Sequence, residues 1–181
     1  MKIWDTSVSY GTVTRALHWG IAVLLVWQFS GMISKVSLGR DHDLTKLLSG
    51  NHGQIGTVLF VLIALRLIWA FINRNRRPTA QPGLAGYAAR LGHAAMYAIM
   101  FLVPFAALMR AWGGERAFAP FGFEIFAARA PENVVTAAVE FGNNLHGEFA
   151  WVLGLLILGH IVMALFHHFI LRDGLLKRIA A

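Results

Sequence analysis

Four long apolar stretches, roughly Leu17 to Ile33, Ile55 to Ile72, Leu91 to Met109 and Ala150 to Leu171, commit this chain to a lipid bilayer. A helix rises about 1.5 Å per residue, so roughly 20 apolar residues cross a hydrocarbon core of about 30 Å. The second stretch, IGTVLFVLIALRLIWAFI, holds one charge, Arg66, and the fourth, AWVLGLLILGHIVMALFHHFIL, is interrupted only by histidines. The third contains Pro104. Membrane helices tolerate proline where neighbours re-satisfy the freed carbonyl, and a kink is expected there. The pattern predicts an all-α fold: one integral membrane four-helix bundle over residues 1–181.

Charge decides the partner class. The net charge of +7 accompanies 57% hydrophobic residues and a mean hydropathy of +0.58, and the basic residues lie between the apolar stretches. They are placed to meet a membrane surface, and no nucleic-acid partner is expected. The first stretch could imitate a signal peptide, but GMISKVS from Gly31 to Ser37 offers no small-x-small cleavage site, so it reads as a retained helix. RNRRPTAQPGLAGYAAR reads as a solvent-exposed turn between the second and third helices. The connection from Arg110 to about Asn144 is more acidic, and its Phe118, Phe121, Phe123 and Phe126 suggest a segment lying at the interface. Placing both termini inside gives nine Lys and Arg residues on the inner side, with Arg74, Arg76 and Arg77 clustered, against six on the outer side. The positive-inside rule therefore favours both termini on the cytoplasmic side.

The chain has no cysteine, which removes disulfides, iron–sulfur clusters, covalently attached haem and thiol chemistry together. Any metal must rest on other ligands. Eight histidines are present, and His18, His93, His160, His167 and His168 fall in or at the ends of the apolar stretches. Ionisable groups at membrane depth are costly and point to function.

His146 and His160 are 14 residues apart on the fourth helix. At about 100° per residue they share one face, about 21 Å apart along the axis. Electron-transfer haem takes two strong axial ligands, so each needs an opposing histidine at its own depth. His52 opens the second helix at the outer side, level with His146, and His18 opens the first at the inner side, level with His160. Arg66 follows His52 by 14 residues and reaches the inner level, where it can meet a haem propionate or a quinone carbonyl, or snorkel to the headgroups. Glycines 53, 56, 142, 147, 154 and 159 flank these histidines and admit either a flat macrocycle or a neighbouring helix.

Zinc is the rival metal, but structural zinc sites gather four ligands and usually recruit cysteine, whereas these histidines spread in pairs. His167 continues the face of His160 and belongs to an inner quinone pocket or to the interface. His93 reads as packing at the inner boundary, or as a ligand under a different pairing, and His42 as a solvated loop residue. The tryptophans read mostly as interfacial belt and bundle packing.

The segments YGTVTRALHWG around His18, NHGQIG around His52, ARLGHAAMYAIMFLVPF around His93, NLHGEFAWVLGLLILGH from His146 to His160, and the terminal ALFHHFILRDGLLKRI together resemble the bacterial cytochrome b561 family. The resemblance spans nearly the whole chain. It implies a multi-pass protein of the bacterial inner membrane with two haem b groups, one held by His18 and His160, the other by His52 and His146. Similar members include a superoxide:ubiquinone oxidoreductase, which oxidises superoxide outside and reduces ubiquinone in the membrane. Others are cytochrome b subunits that anchor dehydrogenases or hydrogenases. A basic outer surface would steer superoxide. Here six basic residues face seven acidic ones in the outer segments, so steering would need Lys35, Arg40 and Lys46 to cluster.

Overall fold

A computed structural model describes residues 2–78 and 82–180. Among these residues the chain is all-helical apart from a single isolated β-bridge, Phe118 with Phe126. Helices α1 (Thr12–Leu38), α3 (His52–Ile72), α4 (Gly83–Gly113) and α5 (Thr136–Phe166) are the four long ones. The short α2 (Asp43–Ser49) links α1 to α3, and α6 (Lys177–Ala180) ends the described chain. The four long elements are each long and apolar enough to cross a membrane.

The helices overrun the apolar stretches because a helix continues past the hydrocarbon wherever nothing breaks it. α4 begins at Gly83, eight residues before Leu91, and α5 begins at Thr136, fourteen before Ala150. His93 and His146 therefore sit a few turns inside their helices. α4 is helical straight through Pro104. Its stop is Gly113 and Gly114, and α1 stops at Gly39, whose φ of +87° suits a residue without a Cβ. α5 passes into a π-helical turn, His167–Leu171, which closes on Arg172 in the left-handed region at φ +53°.

Neighbouring helices run antiparallel. Gln28 of α1 bonds the carbonyl of His52, and near the other end of α1 Arg66 reaches Thr14. Both termini meet at that second end: the Tyr10 amide donates to the Arg178 carbonyl and the Trp19 indole to that of Ile179. This is called the terminal end below, and the end with α2 and the 114–135 connection the opposite end.

Burial is inverted relative to a soluble protein. Only 6% to 22% of each spanning window is buried inside the bundle, and residues such as Val23, Phe71 and Leu155 stand exposed. Their outward apolar faces have lipid as the matching solvent. The small core consists of Ile21, Leu59, Ile63, Met100 and Leu153, between the two ends of the bundle. α4 and α5 approach most closely where they carry glycine. A Cβ on Gly113 would lie 2.8 Å from Val135 O, and one on Gly142 would collide with the Ala106 carbonyl and Arg110.

The linkers have their own order. His42 is the N-cap of α2: its Nδ1 accepts from the Leu44 amide at 3.2 Å, so this loop histidine has a structural task. In the 114–135 connection the Phe118 amide donates to Phe126 O at 2.8 Å, leaving Phe121 and Phe123 exposed at the tip. The turn between α3 and α4 includes residues 79–81, which lie outside the described residues.

Candidate functional site: two levels of paired histidines

Each level is built from helices that approach from opposite directions. At the opposite end His52, on the first turn of α3, faces His146 of α5 with ring centroids 5.8 Å apart and planes at 88°. At the terminal end His18 of α1 faces His160 of α5 at 6.4 Å and 68°. His93 of α4 joins this second level, 5.3 Å from His160.

All three ring pairs meet edge to face, and only their spacing differs. With metal–imidazole bonds of about 2.0–2.1 Å and a ring centroid roughly 1.1 Å behind its nitrogen, two rings trans across one metal have centroids about 6.3 Å apart. His18 with His160 and His52 with His146 lie close to that spacing, whereas His93 with His160 falls about 1 Å short. Among the described residues no three His, Asp or Glu side chains form a compact metal cluster. Gly147 and Gly159, next in sequence to His146 and His160, are exposed on the outer side of α5, where an added Cβ would meet nothing within 4 Å. Gly142 and Gly154, by contrast, face neighbours, Gly154 packing under the Phe29 ring.

The second ring nitrogen fixes which one is offered to a metal. His146 Nδ1 lies 2.9 Å from the Val103 carbonyl, so Nδ1 carries the proton and Nε2 keeps its lone pair. His93 has the same arrangement with the Ala89 carbonyl at 2.7 Å. His18 differs. Arg66 Nη2 approaches its Nδ1 at 3.2 Å, and a guanidinium only donates, so here Nδ1 accepts and the proton sits on Nε2. Ligation through Nε2 requires that proton to move to Nδ1 and Nη2 to turn to another acceptor. The pair fits haem with that one adjustment.

Arg66 is held by all three of its nitrogens. Nε donates to the Tyr97 hydroxyl at 3.1 Å, Nη1 to the Thr14 carbonyl at 3.5 Å, and Nη2 to His18. It points into the bundle at the level of His18 and does not snorkel to the surface. His167 lies on the π-turn past His160, its Nδ1 2.5 Å from Asp173 Oδ2 and its side chain 19% exposed. At the opposite end Lys46 forms an exposed ion pair with Asp43 at 3.8 Å.

Tyr97, Thr14 and the Val103 carbonyl are partners the sequence reading did not single out. Thr14 precedes His18 by four residues and Tyr97 follows His93 by four, so helical periodicity alone could have put both on the histidine faces. A backbone acceptor such as Val103 O has no sequence signal.

The comparisons agree with this architecture. Residues 9–180 match the family model described as prokaryotic cytochrome b561. "Cytochrome b561 homolog 2" of Escherichia coli (strain K12) is 29% identical over 185 residues, covering 99% of this chain and 95% of that protein. "Cytochrome b561 homolog 1" of the same organism is 25% identical over 167 residues, covering 90% and 92%. The chain belongs to the prokaryotic cytochrome b561 family, and is therefore a multi-pass bacterial membrane protein of b-type haem electron transfer.

Proposed function

We propose that this protein moves electrons between a periplasmic donor and membrane ubiquinone, using two b haems held by His52 with His146 and by His18 with His160. The supporting observation is the pairing of histidine rings from separate helices at two heights, with centroids 6.4 Å and 5.8 Å apart, placed where they would hold haem iron. Bound haem supplies one-electron chemistry at its iron; the protein supplies ligation, orientation and charge. In this reading both termini face the cytoplasm, the host is the inner membrane, and the opposite end of the bundle is periplasmic.

At the terminal end Arg66 provides a fixed cation and His167 a ring able to bond a quinone carbonyl and carry its proton, with Asp173 holding the other nitrogen. At the opposite end Lys35 and Arg110 are the two cations close enough to act on His52, within outer segments that are slightly acidic as a whole. These two cations would attract an anionic donor such as superoxide. Each superoxide gives up one electron and leaves as dioxygen; ubiquinone takes two electrons and two protons to become ubiquinol.

A second reading, as the haem-bearing anchor subunit of a dehydrogenase or hydrogenase, is favoured by the exposed Phe121 and Phe123 at the opposite end. The deciding experiment is haem quantitation on the purified full chain with a reduced-minus-oxidised spectrum, repeated with superoxide as sole reductant. Two haems per chain are expected, falling to one in His146→Leu. A folded preparation without haem would defeat the proposal, and a stoichiometric partner required for any reduction would select the second reading.

A further inference from the structure

Asp5 is an acid with a side chain of 0% exposure, placed just before a membrane helix. A carboxylate is costly to bury unless its lone pairs are occupied; here Oδ1 is doubly hydrogen-bonded, while Oδ2 has, among the described residues, only the nearby charge of Arg77. Oδ1 accepts from the Gly11 amide at 2.8 Å and from the Thr14 hydroxyl at 2.6 Å, while Arg77 Nε faces Oδ2 at 3.4 Å. The Asp5 amide donates to Asn73 Oδ1 at 3.3 Å, and Asn73, itself 0% exposed, donates back to the Trp69 carbonyl. The N-terminal arm is thereby tied to the first turn of α1 and the last turn of α3. Trp4 stacked on Trp69, with Arg76 over Trp4, closes the same contact from outside.

Thr14 is where this network meets the histidines. Its hydroxyl donates to Asp5 and accepts from the Trp69 indole at 2.9 Å, which fixes the side chain on both sides. Its carbonyl accepts from Arg66 Nη1, and Arg66 Nη2 touches His18. One chain of contacts thus runs from Asp5 through Thr14 and Arg66 to His18. A surface serine or aspartate at the N-cap would start α1 just as well, so helix capping alone does not require a buried acid here.

We propose that Asp5 is a positioning residue for the terminal-end histidine pair: by fixing Thr14 it holds the Arg66 guanidinium beside His18, and so sets how readily the centre at His18 and His160 accepts an electron. The inference rests on the reading that these two histidines hold haem. A cation beside the ligand stabilises the reduced form, and it does so most when it is dry and immobile. Loosening Thr14 lets the guanidinium retreat toward water and makes this centre harder to reduce.

The test is a spectroscopic redox titration of the purified full chain, alone and as Thr14→Val, Thr14→Ser and Asp5→Asn, with thermal unfolding measured alongside. The opposite-end centre is identified as the component missing from His146→Leu. Thr14→Val and Asp5→Asn should each lower the reduced-to-oxidised ratio of the terminal-end centre threefold or more at a given potential, a tenfold change being about 59 mV for one electron. Thr14→Ser should stay near the wild type, and the other centre should not move. Direct charge removal predicts the contrary pattern: Asp5→Asn raises the potential and Thr14→Val leaves it alone. That pattern, or lower thermal stability with both potentials unchanged, overturns the proposal. If the wild type lacks two titrating centres, the haem reading itself fails, and the two failures are told apart.

Discussion

Replacing Gly142 by alanine should selectively damage the histidine level at the opposite end. The added methyl would lie 2.5 Å from the Ala106 carbonyl oxygen, where ordinary contact begins near 3.4 Å. Backbone cannot swing aside as a flexible side chain can, so α5 must move about 0.9 Å from α4 at this point. His146 lies four residues on, along the same face. Its Nδ1 bond to Val103 O would stretch from 2.9 Å to as much as about 3.8 Å, beyond hydrogen-bonding range. Overpacking costs about 1–3 kcal/mol, and the lost bond adds about 0.5–1.5 kcal/mol while freeing the imidazole to change tautomer. Haem per chain should fall toward one, the remaining component should match that of His146→Leu, and thermal unfolding should shift downward. Retention of both haems with unaltered spectra and melting would refute the reasoning, because it would mean that α4 and α5 are not locked at this crossing.

Arg66→Met removes the positive charge that Tyr97 and Thr14 hold near His18, so the terminal-end centre should become harder to reduce by tenfold or more while the other is unchanged, as read by redox titration. His167→Leu should keep both haems and their spectra but slow quinone reduction by about 10²-fold or more, the usual worth of a positioned proton donor, in a stopped-flow assay with a quinone analogue. Because the chain has no cysteine, a single Lys177→Cys gives a unique label site. A membrane-impermeant maleimide should label it only in inverted vesicles, and labelling in right-side-out cells would reverse the assigned topology.

The spans and the two histidine levels were legible because both follow from periodicities that no tertiary context alters. Hydropathy over about 20 residues marks a helix for lipid, and 14 residues bring His160 back to the face of His146 whatever the neighbours do. Boundaries were less legible, since the polar residues from Thr136 to Glu148 and from Gly83 to Arg90 continue helices that hydropathy alone would end. His93 shows the other limit. Its depth could be read from the chain, but its contact with His160 depends on how α4 turns against α5, and the glycine-backed crossings at Gly113 and Gly142 set that rotation. Asp5 carried no signal at all: it belongs to a short stretch without period, and its partners Asn73 and Arg77 are about 70 residues away.

The core that separates the two levels bears on what can cross. Ile21 lies one turn past His18, Ile63 one turn before Arg66, and Leu153 midway between His146 and His160, so the buried cluster forms an apolar layer reaching from just past the terminal-end level to mid-height. An electron can tunnel through packed hydrocarbon, but a proton needs a chain of hydrogen-bonding groups, and this cluster contains none. Protons taken up by a quinone must then enter from the end where that quinone binds. The polar groups able to pass them, Arg66, Tyr97, His167 and Asp173, all lie at the terminal end. With a donor at the opposite end, charge separates across the layer with every electron transferred. A polar residue at Ile63 that hydrates the layer would therefore weaken the coupling between electron flow and membrane potential before it changes either histidine pair.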